Sequence, residues 1–152
     1  MPQEFFPEVP PIKYEGPDTR NPLAFRQYNP KQRILGKTMA EHLRFSVCYW
    51  HTFKGLGSDP FGGPTMLRQY ADAPDEMTAA EQTMRAAFEL FTKLGVGFWC
   101  FHDADIAPEA DTLSETNKRL DKIARLAKSL QKDTGIRLLW GTTNLFSHRR
   151  FL

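Results

Sequence analysis

The sequence predicts an α/β protein built on parallel strands, and three observations lead there. Apolar runs at 44–49, 97–101 and 136–140 have the length and composition of buried strands. Two amphipathic helical patterns separate them. Each run ends abruptly in polar or aromatic side chains, as strands do where a β/α protein carries its chemistry.

Residues 1–35 are expected to form an extended arm. Prolines at 2, 7, 10, 11, 17, 22 and 30 interrupt any regular period. Phe5, Phe6, Val9, Ile12, Leu23 and Phe25 make the arm apolar enough to dock. A short helix at Thr38–Leu43 precedes the first strand, Arg44–Tyr49, which runs into Trp50 and His51. Gly55, Gly57, Pro60, Gly62, Gly63 and Pro64 then mark a long loop.

Thr78-Ala79-Ala80-Glu81 reads as a capping box, in which the Thr hydroxyl accepts from the backbone N–H three residues on and the Glu reaches back. Apolar residues at 84, 87, 88, 91 and 94 keep helical spacing, and Gly95 suits a left-handed helix end. The second strand is Gly97–Phe101. The pattern then repeats. Thr112-Leu113-Ser114-Glu115 is a second capping box, and Leu120, Ile123, Ala124, Ala127 and Leu130 form one apolar face. Gly135 closes that helix, and Ile136–Trp140 is the third strand.

Strand, helix, strand, helix, strand is the order of a parallel sheet with right-handed crossovers. The second and third strands are apolar at nearly every position, which calls for cover on both faces. Two helices and an arm do not cover three such strands and both sheet edges, and the chain reaches Phe151-Leu152 with no third helix. The expected architecture is a partial closed β/α barrel: an arm over 1–35, then the first three strands and two helices over 36–152. The plainer alternative is an open three-stranded domain capped by the arm.

Composition narrows the function. A chain of 152 residues makes one domain, burying roughly 70% of its unfolded surface. With Lys plus Arg at 20 and Asp plus Glu at 18, the net charge of +2 argues against nucleic acid or an anionic membrane as partner. Arg149-Arg150 reads as part of a solvated loop. Cys48 and Cys100 lie inside apolar runs and read as buried free thiols, with no disulfide framework or zinc spacing. Phe5-Phe6 is followed at once by Pro7, unlike a signal peptide. No apolar run approaches the ~20 residues of a membrane helix. The expected compartment is the reducing cytoplasm.

His102 with Asp105 is the strongest chemical constellation. A histidine beside a carboxylate at a strand end can be held in one tautomer and have its imidazolium stabilised, as acid–base chemistry near neutral pH requires. The ordinary structural explanation is a histidine capping the strand while the aspartates begin a turn. Spacing leaves Asp103 open, as a second partner or a turn residue. Trp50 and Trp140 sit where the first and third runs end; such walls suit a sugar, whose C–H faces are apolar while its hydroxyls need polar partners. They are equally at home in a core, which is where Trp99 is placed. His51 is expected to alternate away from the pocket, and His42 and His148 are read as structural. The loop at 55–63 lacks the Gly-Lys-Ser/Thr ending of a phosphate loop. Its Asp59-Pro60-Phe61-Gly62 instead offers an exposed Phe on a stiff turn, suited to a partner subunit or to a local plug.

Four ordered segments together resemble xylose isomerases of the longer class with an N-terminal arm: Tyr49-Trp50-His51-Thr52-Phe53, Asp59-Pro60-Phe61-Gly62-Gly63, Phe101-His102-Asp103-Ala104-Asp105-Ile106-Ala107-Pro108-Glu109 and Trp140-Gly141-Thr142-Thr143-Asn144-Leu145-Phe146-Ser147-His148. The likeness covers the whole chain and only the N-terminal third or so of a full-length member. It implies a TIM (β/α)8 barrel that converts xylose to xylulose. The histidine matching His102 would assist opening of the sugar ring, oriented by the aspartate matching Asp105. Trp50 and Trp140 would line the pocket with Thr142 and Phe146 nearby, and Phe61 would reach into a neighbouring subunit of a homotetramer. Two divalent ions, magnesium, manganese or cobalt, would bind the open-chain sugar oxygens while a hydride shifts between carbons.

The family's metal-binding carboxylates and histidine, and its catalytic lysine, belong to later strands. Glu109 and Asp111 lie in the wrong loop to replace them, so no metal ligand is assigned here. Ala110 stands where glycine is common. The expectation is an aldose–ketose isomerase segment acting on an aldose, xylose or glucose, and inactive alone. The alternative is a non-catalytic sugar-binding or assembly fragment that complements a separate C-terminal chain.

Overall fold

The computed structural model describes residues 4–146. His148 and Arg149-Arg150 lie outside that range. A two-stranded antiparallel hairpin, β1 (Arg33–Ile34) and β2 (Lys37–Thr38), leads into the short helix α1 (Met39–His42). Thr38 caps α1 with the reciprocal Thr38–Glu41 hydrogen bonds of a capping box. A parallel three-stranded sheet follows, β3 (Ser46–Cys48), β4 (Phe98–His102) and β5 (Arg137–Thr142), in the order β3-β4-β5. The crossovers carry the long helices α2 (Glu76–Leu94) and α4 (Leu113–Thr134), and a single turn, α3 (Asp103–Ile106), follows β4. The sheet is open; among the described residues it does not close into a barrel.

Several boundaries differ from expectation for identifiable reasons. The first strand is shorter than Arg44–Tyr49, because the backbone turns helical at Tyr49 and continues as a π-helical turn over Trp50–Lys54. The α2 cap is Asp75, not Thr78: the Asp75 carboxylate accepts from the N–H groups of Met77 and Thr78 and from the Thr78 hydroxyl. A carboxylate at the N-cap outcompetes the hydroxyl three residues later, so the helix begins one turn earlier. In α4, Ile123 and Ala127 are buried while Ala124 is exposed. Ala124 lies one ~100° step past Ile123, off the apolar stripe, which Leu126 joins instead.

The core lies between the sheet and α2. Trp99 is buried against Tyr49, Phe88, Phe91 and Phe101, with ring centroids 4.9–6.2 Å away. α2 contributes Met84, Ala87, Phe88 and Phe91, and α4 packs on α2 through Ile123 and Ala127. Gly95 and Gly135 end the two helices in the left-handed conformation, at φ +68 and +75. With β4 so filled on its α2 side, its alternate residues are left for the opposite face.

The start of the arm is tied to α2 by charge. Glu89 accepts from the backbone N–H groups of Phe5 and Phe6, at 2.7 and 2.9 Å, and pairs with Lys93 at 3.0 Å. Lys93 also pairs with Glu4. Burial works against the Glu89 charge, yet the hydrogen bonds from Phe5, Lys93 and Phe6 outweigh it and hold the carboxyl below its usual range. Lys93 is raised: its desolvation is outweighed by hydrogen bonds to Glu4 and Glu89.

Because the folded Glu89 value is depressed, its stabilisation is complete above the unfolded value of about 4.3 and fades as pH falls through the lower folded value. For Lys93 the raised value places the loss at the alkaline end, beginning above about 10.4. Glu89→Ala is expected to lower unfolding free energy by about 2 kcal/mol and to free the 4–12 segment for proteolysis at neutral pH. Wild-type protein should show the same release only in acid below about pH 4 or in strong alkali. Urea midpoints and limited proteolysis across pH measure both.

Candidate active site

β4 ends at His102 with extended backbone, and Asp103 begins α3. Two residues on, Asp105 reaches back to the strand end. Its Oδ2 accepts the His102 backbone N–H at 3.0 Å and the ring Nδ1–H at 2.9 Å. A carboxylate only accepts, so the contact assigns the ring proton to Nδ1 and leaves Nε2 as the free nitrogen. Both partners are largely buried, with side chains 25% and 13% exposed. One oxygen holding two N–H groups of the same residue fixes the imidazole's direction as well as its tautomer.

Two tryptophans flank that ring. The Trp50 centroid lies 4.3 Å from His102 and 5.4 Å from Trp140, and Trp140 stands nearly edge-on to His102 at 5.8 Å. Trp50 arrives there from the π-helical turn that ends β3. Trp140 arrives through a register shift. Trp99 pairs with Leu138, but Cys100 pairs with Trp140, so Leu139 is an extra residue in β5. In an even ladder Trp140 would stand opposite Phe101 and face α2; the one-residue shift turns it to the His102 side. The same shift sets Thr142 opposite His102 and Gly141 opposite Phe101. A Cβ on Gly141 would meet the Phe101 ring at 2.8 Å, so glycine lets that ring lie over β5. Gly141 inside an apolar run is the sequence signal for this irregularity.

The predicted site residues therefore divide. His102, Asp105, Trp50 and Trp140 come together, with Thr142 in register beside them. Phe146 and Phe61 stand apart from the cluster, each 97% exposed. Phe61 sits on a tight turn: its N–H donates to Asp59 Oδ1 at 2.8 Å, and Asp59 bridges to Gly62. His51 is exposed, its ring 5.6 Å from Trp50. His42 serves the hairpin, with Nε2 2.9 Å from the Ile34 carbonyl. Asp103 takes no part in the His102 pair; its Oδ1 accepts from the N–H groups of Ala104 and Asn144 at 2.8 and 2.9 Å. Spacing held no sign of that long-range bond.

The groups beneath the cluster are packing groups. Cys48 and Cys100 are unbridged and face each other in register. Burial pushes the Cys48 thiol up, and burial, with the Tyr70 and Asp105 charges, pushes the Tyr49 hydroxyl up. Among the described residues, no three His, Cys, Asp or Glu side chains converge to hold a metal ion. No described helix is long and apolar enough to cross a membrane. A cavity of about 1090 Å³ lies at the opposite, amino-terminal ends of β3 and β4 among Phe25, Tyr28, Phe45 and Phe98, and none of the His102 cluster lines it.

Fold and site define a parallel β/α protein with an aspartate-oriented histidine in an aromatic corner at the carboxyl ends of its strands. No protein-family model matches the chain. It is 54% identical over 149 residues to xylose isomerase of Arabidopsis thaliana, covering 98% of this chain and 31% of that protein. It is 56% identical over 149 residues to xylose isomerase of Thermoanaerobacter sp. (strain X514), covering 98% and 34%. With xylose isomerase of Hordeum vulgare it shares 51% over 149 residues, covering 98% and 31%. Along nearly its whole length the chain is therefore similar to xylose isomerases, and it spans about a third of the length of these relatives.

The close approach at Gly141 yields a test. Gly141→Ala is expected to cost about 1–3 kcal/mol by forcing the Phe101 ring off β5. The double variant with Phe101→Ala should show a favourable coupling relative to the summed single effects. Denaturant midpoints of the three variants measure it.

Proposed function

We propose that these residues form the ring-opening part of an aldose–ketose isomerase site whose substrate is xylose. The observation that carries the reading is the 2.9 Å His102–Asp105 contact set between Trp50 and Trp140. Trp50 and Trp140 offer apolar faces to the sugar's C–H groups, and Thr142 offers a hydroxyl beside them. Asp105 keeps the Nδ1 proton in place, so His102 Nε2 is the atom that exchanges a proton with the sugar. It takes the proton of the anomeric hydroxyl and a proton returns to the ring oxygen as the C1–O5 bond breaks, leaving the open-chain aldehyde. Asp105 stabilises the imidazolium in between.

The later hydride shift, for which the resemblance implies two divalent ions held by residues of later strands, is not assigned to this segment. In this reading the chain corresponds to the N-terminal segment of a TIM barrel, and Phe61 projects into a neighbouring subunit of a homotetramer. The two unbridged cysteines fit a reducing cytoplasm.

The edge of β5 favours a second role beside the first. All six β5 residues are exposed, including Leu138, Leu139 and Trp140. An apolar, unpaired parallel edge is a template for further strands. The segment therefore also serves as an assembly unit that complements a C-terminal portion.

These 152 residues incubated with xylose and magnesium should give no xylulose, whereas co-expression with the remaining two thirds of a xylose isomerase should restore turnover. Steady xylulose formation by the chain alone contradicts the division of labour. Absence of activity in the complemented pair, with both parts folded, contradicts the isomerase reading.

A further inference from the structure

Asp103 is the acidic residue that the His102 pair leaves unused. It is the first residue of α3, where β4 leaves the sheet. The last register pair of the ladder is His102 with Thr142. Past that point the β4 backbone turns into α3 and the register with β5 ends. The Asp103 side chain takes over: Oδ1 accepts the N–H of Asn144, 41 residues on, at 2.9 Å, while accepting the Ala104 N–H at 2.8 Å. The first bond extends the ladder by one step beyond its backbone limit. The second holds the carboxylate at its own helix start. The site thus uses its two aspartates differently: Asp105 directs the histidine, and Asp103 ties down the segment facing it.

We propose that Asp103 is a positioning residue that holds the Thr142–Phe146 segment, and with it the Trp140 wall, at a fixed distance from His102. β5 is the edge strand, exposed along its whole length, so among the described residues only β4 supports it, and that pairing ends at Thr142. A bond from β4's own turn is placed to supply that support. Its bearing on sugar binding rests on the function proposed above; its bearing on the segment does not.

Amide hydrogen exchange on the full chain tests it. Asp103→Ala is expected to speed exchange at Thr142–Asn144 by about 10- to 100-fold, the loss of one charge-assisted bond, with β3 and the α2 core unchanged. Asp103→Asn keeps an acceptor oxygen and should restore most of the protection. Asn144→Pro removes the same N–H from the opposite side and should loosen Thr142 and Thr143 even if Asp103→Ala fails to fold. Unchanged exchange in Asp103→Ala, equal loosening of the whole sheet, or no rescue by Asp103→Asn overturns the proposal. Xylose titration followed by tryptophan emission separates the two claims. The wild-type chain should bind, and Asp103→Ala should bind about tenfold more weakly. A wild-type chain that ignores xylose yet shows Asp103-dependent protection overturns the sugar reading and leaves the positioning role standing.

Discussion

The single extra residue in β5 governs the site. Side chains on a strand alternate strictly, so a shift of one residue moves every following side chain to the other face. With Leu139 bulged, Trp140 and Thr142 fall into the column that carries Cys100 and His102, and Gly141 falls beneath Phe101. Without it, Trp140 would crowd the already filled α2 side, and the histidine would face Leu139 and Gly141. The aromatic corner, the close approach at Gly141 and the alignment of Thr142 all follow from this one irregularity. Bulges concentrate beside functional sites because they re-aim side chains in this way.

The rest of the fold makes that arrangement rigid. Trp99 and Phe101 stack on the helical side of β4, and Trp99 is locked there by Phe88 and Phe91 of α2. β4 therefore cannot rotate to exchange its faces. The beginning of the arm is held on α2 by Glu89 and Lys93, with Phe5 and Phe6 packed against the core. At the strand tip the chain turns from β4 into α3 within one residue, and two carboxylates immediately after the turn hold the histidine and the facing segment. Position comes from the hydrophobic core, and direction from the charged hydrogen bonds.

Much of this was legible in the residues, and the parts that were not share a cause. The helical spacing of Met84, Ala87, Phe88 and Phe91, and the glycines at 95 and 135, identified both long helices because those signals are local. The His102–Asp105 pair was legible because it spans a single turn. The α2 cap was misread because Asp75 and Thr78 are both good N-caps, and the choice turns on which carboxylate or hydroxyl meets the free N–H groups. The Leu139 bulge, signalled locally only by Gly141, and the Asp103–Asn144 bond depend on how two strands some forty residues apart are paired. Phe61 is exposed on its turn, as Asp59-Pro60-Phe61-Gly62 indicated, and Phe146, which only the family resemblance gave a site role, is exposed as well.

The shifted register places Trp140 on the His102 side of the sheet. Proton NMR cross-relaxation among the aromatic rings tests it most directly. Contacts are expected from the His102 ring to both Trp50 and Trp140, at centroid separations of 4.3 and 5.8 Å, and from Phe101 to the Gly141 α-protons. Contacts from Trp140 to the α2-side aromatics, with His102 instead facing Leu139, would contradict it.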